Sequence, residues 1–283
     1  MIRVHHAGKM GDLVYALPVM RAIARKTGQK IHLTTSALCF SLVPLLWEQP
    51  YFEDVVIDSS KPYKMADGVM SGWNFYDTGD GINLSPQPDF YLPDAPIPWT
   101  TCYEQVSGAG PLVEADFCAF PTLVNHRRWY FSHEIKFDGK PEERYKRIVV
   151  ATETESLDET DFSIWDEIMR SFHRKYAIIL VGKKVWPLPT NLHVKDLRGL
   201  TTVPTMARII AEADGFIGAH SLPWHIARHS ETPAVCIQKW RKGLQRCIPI
   251  DTDYNWIEPE NWKDAIDFIQ HGAQTKWPLQ ARC

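Results

Sequence analysis

Asp12 stands in the segment Gly8-Lys9-Met10-Gly11-Asp12, directly after the short strand-like run at residues 2–7. A carboxylate there has two readings. It can take the proton of an attacking hydroxyl as a general base, or it can cap the following helix while the glycines turn the chain. Lys9 and Gly11 join it as candidate donor-binding residues, because N–H groups at a helix start favour anionic groups. The segment fits neither the dinucleotide fingerprint G-x-G-x-x-G nor the P-loop. A second polar turn is Gly218-Ala219-His220-Ser221-Leu222-Pro223-Trp224-His225. Here Ser221 and the first N–H groups of a helix can bind a diphosphate, with His225 near enough to add a donor; the competing reading makes Ser221 an ordinary N-cap with Pro223 in the first turn. His225 and His229 share a helix face, but H-E-x-x-H is absent and no carboxylate completes a ligand set, so no metal is expected. Lys239, Arg241, Lys242 and Arg246 surround Trp240. Cations with an aromatic can track phosphates and stack a base, or simply form a solvated loop.

The elements around these residues read as two α/β units. Strand, glycine loop and helix follow one another over residues 2–24, with Leu13, Ala16, Leu17, Met20 and Ile23 at helical spacing. Pro18 lacks an N–H and crowds the preceding turn, so the regular helix is expected either to begin near Ala16, with the loop extending through Asp12, or to carry a kink. Strands are expected at residues 30–35 and 55–58, which makes a βαβ alternation and a parallel sheet. Residues 61–98 hold many of the twenty prolines and read as surface loops with short strands. A second alternation runs through strands at 147–151, 176–182, 215–218 and 234–237, with helices at 162–173, 204–213 and 223–229 between them. In open α/β sheets ligands lie beyond the carboxyl ends of the strands, which is where both polar turns fall. The charged residues 137–146 read as the linker, dividing the chain into domains 1–140 and 141–283.

At 283 residues, 45% hydrophobic and net charge -3, the chain has apolar surface for two cores and no global field that draws it to nucleic acid or anionic membrane. The six cysteines form neither a C-x-x-C pair nor a dense framework, which points to reduced thiols. The longest apolar stretch, residues 38–47, is broken by Ser41 and Pro44 and is half of the roughly 20 residues that span a bilayer. No basic n-region precedes an apolar run at the start, so a cytoplasmic protein is expected.

The run Gly11-Asp12-Leu13-Val14-Tyr15-Ala16-Leu17-Pro18-Val19-Met20-Arg21-Ala22-Ile23 resembles the opening of the ADP-heptose:lipopolysaccharide heptosyltransferases. Asp196-Leu197-Arg198-Gly199-Leu200-Thr201-Thr202 and Ala213-Asp214-Gly215-Phe216-Ile217-Gly218 follow the order of that family's second domain, and Ser221, Pro223 and His225 fall at its nucleotide turn. The resemblance implies a GT-B fold: two Rossmann-like, doubly wound domains facing a cleft, the first holding the acceptor and the second the sugar nucleotide. It implies inverting, metal-independent transfer of a sugar from a nucleotide-diphosphate sugar to an acceptor hydroxyl, with Asp12 as base and no cofactor. Thr152 and Thr154 stand where the family places hydroxyls near phosphate. The chain departs from the pattern at His220, where the family has an acid, at Leu222, where it has glycine, and ahead of Trp165, where its phosphate-contacting lysine is missing. Lys183 and Lys184 are candidate replacements for that charge. The acceptor is expected to be a glycan, a glycolipid or a modified nucleic acid, with the base, the sugar and the oligomeric state left open. The rival reading, motivated by His220 and Leu222, is a non-catalytic GT-B protein that binds a nucleotide or a partner.

Overall fold

A computed structural model of the chain describes residues 1–59, 65–66, 69–70, 81–85, 107–125, 146–153, 161–173, 175–183, 192, 194–239 and 256–271. The described residues belong to two compact units, one within Met1–Thr122 and one within Leu123–Trp240 and Asp251–Cys283. The expected linker at 137–146 lies outside the described residues, apart from Lys146.

The first unit begins with β1 (Ile2–His6), α1 (Met10–Thr27) and β2 (Ile31–Ser36). A 3₁₀ turn (Ala37–Leu42), α2 (Val43–Trp47) and β3 (Phe52–Asp58) follow. Within the proline-rich region stand the antiparallel pair β4 (Met65–Ala66) and β5 (Val69–Met70), and then β6 (Ile82–Asn83). The main sheet has the order β3-β2-β1-β6 with every described pair parallel. β1 therefore has the next strand of the chain on one side and a later strand on the other, and its carboxyl end is a topological switch point.

α1 differs from the expectation at its start. It is helical from Met10, so Gly11 and Asp12 belong to its first turn, and the loop shrinks to Ala7-Gly8-Lys9. Pro18 sits inside the helix, where it removes one backbone hydrogen bond. That loss is offset by burial: every residue of Leu13-Val14-Tyr15-Ala16-Leu17-Pro18-Val19-Met20 is enclosed, as in a helix covered on more than one face. Gly28, at φ 67°, ends the helix in the left-handed conformation. In the last turn Arg25 pairs with Asp116 through Nε and Nη2 at 3.0 and 2.7 Å, and Lys26 Nζ donates to the Gly108 carbonyl at 2.7 Å. These bonds tie α1 to the segment carrying α3 (Glu114–Phe117); α4 (Pro121–Asn125) follows it.

The second unit contains β7 (Lys146–Ala151), α5 (Phe162–Phe172), β8 (Tyr176–Leu180) and β9 (Val194–Asp196). It continues with α6 (Val203–Ala211), β10 (Gly215–Gly218), α7 (Leu222–His229) and β11 (Ala234–Ile237), then β12 (Trp256–Ile257) and α8 (Lys263–His271). The parallel sheet has the order β12-β11-β10-β7-β8-β9. Counted from β7, this is the doubly wound order 3-2-1-4-5-6 read from the other edge, with its switch point between β7 and β10. Trp165, Ile168, Met169 and Phe172 of α5 and Ala265 and Ile269 of α8 pack against Ile148, Val150, Ile178, Ile217 and Val235 of the sheet. Asp161 and Thr202 cap α5 and α6, accepting from the N–H groups of Ser163 and Thr205. Among the described residues no helix is long and apolar enough to cross a membrane.

Candidate functional site

At the switch point of the first sheet, three neighbours hold the loop after β1. Ala7 N–H donates to Ser85 Oγ at 2.9 Å from the β6 side. From the β2 side, Ser36 Oγ and Cys39 Sγ donate to the Gly8 carbonyl at 3.1 and 3.5 Å. Gly8 N–H turns back onto His6 Nδ1 at 3.2 Å. Gly8 is required by close approach: a Cβ there would lie 2.7 Å from His6 Cε1 and 2.9 Å from Asp12 Cβ.

Asp12 projects from the first turn of α1, and its Oδ2 accepts the Lys9 N–H at 3.0 Å. This is the reach-back half of a capping box, so the two readings of Asp12 coexist in one geometry. The carboxylate satisfies one N–H with one oxygen and remains half-buried. Burial pushes its pKa up to about 6, while the Lys9 N–H and the Lys9 charge hold it down. A carboxylate poised there is ionised at neutral pH and is a stronger base than an ordinary Asp. Gly11 and Lys9 are both half-buried beside it. His6 is fully buried, and desolvation lowers its pKa to about 3, so it is neutral. Cys39, also near Asp12, is pushed up to about 12 by burial and stays a thiol.

The switch point of the second sheet brings Thr152 and Ser221 into neighbouring loops. β7 and β10 run in register to Ala151↔Gly218, and the Ala219 N–H then donates to the Ala151 carbonyl at 2.9 Å. Gly218 permits this approach, since a Cβ there would meet the Phe216 ring at 2.6 Å and the Ala151 carbonyl oxygen at 2.8 Å. Thr152 follows at once and is 6% exposed. Ser221 takes the N-cap position of α7 without capping it: its Oγ donates instead to the Ala219 carbonyl at 3.2 Å. The α7 N-terminus thus has no side-chain cap, and the ordinary N-cap reading does not describe Ser221. His225 is 6% exposed, its ring centroid 4.9 Å from that of His220 and 5.1 Å from that of Trp224. Arg228 lies over the Trp224 ring at 5.3 Å. Desolvation lowers the His220 pKa to about 4, and desolvation with the neighbouring His220, His229 and Arg228 holds His225 well below its ordinary value. His225 is therefore a neutral member of a ring cluster with His220 and Trp224.

Lys183 is exposed after β8, and its backbone N–H donates to the Glu153 carboxylate. Gly182, at φ 130°, has that carboxylate against its α-carbon. Glu153 thus joins the loops after β7 and β8, a role that spelling alone does not reveal. Lys239 is exposed at the end of β11. Thr154, Lys184, Arg241, Lys242 and Arg246 lie outside the described residues. Sequence reasoning also missed His6 and Gly8, whose role depends on contacts across the first loop. Among the described residues no three His, Cys, Asp or Glu side chains converge as a metal site.

No family model matches the chain, and no curated protein matches it. Among solved structures it is similar to ADP-heptose LPS heptosyltransferase II of E. coli, at 12% identity and a TM-score of 0.62, covering 97% of this chain and 100% of that one. It is also similar to an E. coli heptosyltransferase with ADP-2-deoxy-2-fluoro heptose, at 11% identity and a TM-score of 0.60 over 96% and 100% of the two chains. A family 9 glycosyl transferase from Veillonella parvula matches at 12% identity and a TM-score of 0.58, over 91% and 86%. With two Rossmann-like α/β units and near-complete coverage, the chain has the GT-B fold of these glycosyltransferases.

Proposed function

We propose that the chain is an inverting, metal-independent glycosyltransferase that moves a sugar from a nucleotide-diphosphate sugar of the ADP-heptose kind to an acceptor hydroxyl. The observation that carries this reading is the uncapped α7 N-terminus beside Thr152 and Ser221, at the switch point of a sheet with the dinucleotide-binding strand order. A helix start without a side-chain cap and two hydroxyls there suit a diphosphate, whose negative charge grows as it leaves. His225, in the first turns of α7, adds a further candidate donor to the diphosphate. Lys183, exposed after β8, is the described candidate for the cation missing ahead of Trp165.

In the reaction, the acceptor oxygen attacks the anomeric carbon from the face opposite the diphosphate. The carbon–oxygen bond to the diphosphate breaks and its electron pair leaves with the nucleotide. Asp12 takes the acceptor proton, for which a carboxylate of pKa about 6 is suited. The chain would divide its work as 1–140 for the acceptor and 141–283 for the donor, with Lys9 and Gly11 completing the site around Asp12. Lys239, Arg241 and Lys242 suit a polyanionic acceptor, whether a phosphorylated glycolipid or a nucleic acid. The free thiols of Cys39, Cys118 and Cys236 fit a reducing cytoplasm.

Thermal shift with ADP, UDP, GDP and CDP tests the donor site, since a ligand at 100 times its Kd adds about 2.7 kcal/mol. Release of nucleotide diphosphate from the matching nucleotide sugar then tests transfer. Binding without release under any acceptor would favour a non-catalytic nucleotide-binding protein, and no response to any nucleotide would refute the donor site.

A further inference from the structure

The mechanism above assigns nothing to His6, the fully buried last residue of β1. Its Nδ1 accepts the Gly8 N–H, so that nitrogen carries no proton and the ring proton sits on Nε2. Nε2 is itself buried without a hydrogen-bond partner among the described residues. A residue selected only to fill this space would be apolar, because a buried donor left unmade is costly. What His6 contributes and an apolar side chain lacks is the Nδ1 acceptor. That acceptor fixes the Gly8 N–H, and Ser36 and Cys39 fix the Gly8 carbonyl in the next peptide group. Gly8 in turn is wedged between the His6 ring and the Asp12 carboxyl, with the site of an added Cβ 2.7 Å from His6 Cε1 and 3.0 Å from Asp12 Oδ2.

We infer that His6 is a positioning residue for Asp12: through Gly8 it holds the carboxylate against the Lys9 N–H and in its half-buried seat. This deepens the proposed function and rests on Asp12 being the base. The charged and titratable groups that face Asp12 are Lys9 on the loop, Cys39 on the 3₁₀ turn and His6 on β1. His6 is uncharged at neutral pH, since burial lowers its pKa to about 3, and so it acts by geometry and not by charge.

Two substitutions separate this role from a purely structural one. His6→Leu fills the space and removes the orphan donor, but leaves the Gly8 N–H unpaired, so the melting temperature should stay within a few degrees of the parent. Its kcat should nevertheless fall about 10²-fold, the order expected when a reacting group is displaced by about 1 Å. His6→Asn places an amide oxygen near the Nδ1 position and leaves a gap where the ring was; it should melt lower and keep most of kcat. The Asp12 carboxyl, followed by ¹³C NMR on the protein alone, should titrate near 6 in the parent and in His6→Asn, and nearer the ordinary 3.8 in His6→Leu. Activity that simply follows melting temperature across the pair, or an Asp12 titration equal in all three proteins, overturns the inference. Because the titration needs no substrate, a parent that transfers no sugar would refute the proposed function while the NMR comparison still decides the coupling. If His6→Leu does not fold, Gly8→Ala answers the same question, since its Cβ must part His6 from Asp12: a moved Asp12 titration supports the role and an unmoved one refutes it.

Discussion

Replacing Asp12 by Asn should make the protein more stable and less active at once. In the folded chain the Asp12 carboxyl titrates at about 6, against 3.8 for an ordinary Asp, chiefly because burial disfavours its charge. Between those two values the folded protein holds a proton that the unfolded chain has released, so wild-type stability falls as pH rises through this window and is level above it. A shift of roughly two units corresponds to ~3 kcal/mol at neutral pH, an upper figure because the half-buried carboxylate keeps some contact with water. Asn removes that penalty and still accepts the Lys9 N–H, although a bond to a neutral acceptor is weaker by about 1 kcal/mol. The net gain is about 1–2 kcal/mol above pH 7, or roughly 2–6 °C in Tm, and it should vanish near pH 4. Turnover, by contrast, should drop by about 10²–10⁴-fold, the loss expected of a general base. Melting curves at pH 4 and 7.5, run beside nucleotide-release rates, read both quantities. A variant that keeps its turnover, or one destabilised equally at both pH values, would show that the carboxylate serves the loop alone.

The wild-type kcat/KM should rise about tenfold per pH unit up to about 6 and then level, as a base of that pKa ionises. Ser221→Ala and Thr152→Val should each weaken binding of the nucleotide diphosphate by about 1–3 kcal/mol in calorimetry, the usual cost of losing a hydrogen bond to a charged group. Transfer should survive excess EDTA; a strict need for added Mg²⁺ or Mn²⁺ would overturn the metal-independent mechanism. Neutralising Lys239, Arg241 and Lys242 together should spare nucleotide binding and flatten the salt dependence of acceptor binding, and loss of nucleotide binding instead would move these cations to the diphosphate.

Much of this architecture was legible because apolar periodicity carries it. The strands Gly215–Gly218 and Ala234–Ile237 coincide with their expected spans, both being short, apolar and bounded by turn residues. β9 was missed because Val194-Lys195-Asp196 is a three-residue edge strand with two charges, where one side of the pairing is open to water and polar side chains are tolerated. The helix α1 starts earlier than Pro18 alone predicts, because a proline breaks a helix only where nothing else holds it. Burial of the whole stretch around it, a tertiary effect, outweighs the one lost bond. Asp12 and Ser221 were visible as residues, since both stand at a strand-to-helix passage, Asp12 directly after Gly11 and Ser221 three residues after Gly218. What they do locally was not. Whether Ser221 caps α7 or leaves it open depends on a side-chain rotation toward the Ala219 carbonyl that no spacing encodes.

The last prediction follows from Gly218. Its neighbours bear on Leu222, which stands in the proposed donor turn where the resembling family has glycine. The close approach in this chain occurs earlier, between the carboxyl ends of β10 and β7, where any side chain on residue 218 would strike both the Phe216 ring and the Ala151 carbonyl. The glycine that matters to the second switch point thus lies within the strand, and Leu222 has only to open α7. Gly218→Ala must either rotate Phe216 out of its buried place or push β10 from β7, and such overpacking typically costs 1–3 kcal/mol. If the strands part, the Ala219 N–H to Ala151 bond lengthens, Thr152 separates from Ser221, and diphosphate affinity falls together with stability. Leu222→Gly, by contrast, should leave affinity within a factor of a few and cost stability by about 1 kcal/mol, the helix penalty of glycine. Tighter nucleotide binding by Leu222→Gly, with Gly218→Ala unaffected, would return the close approach to the turn itself.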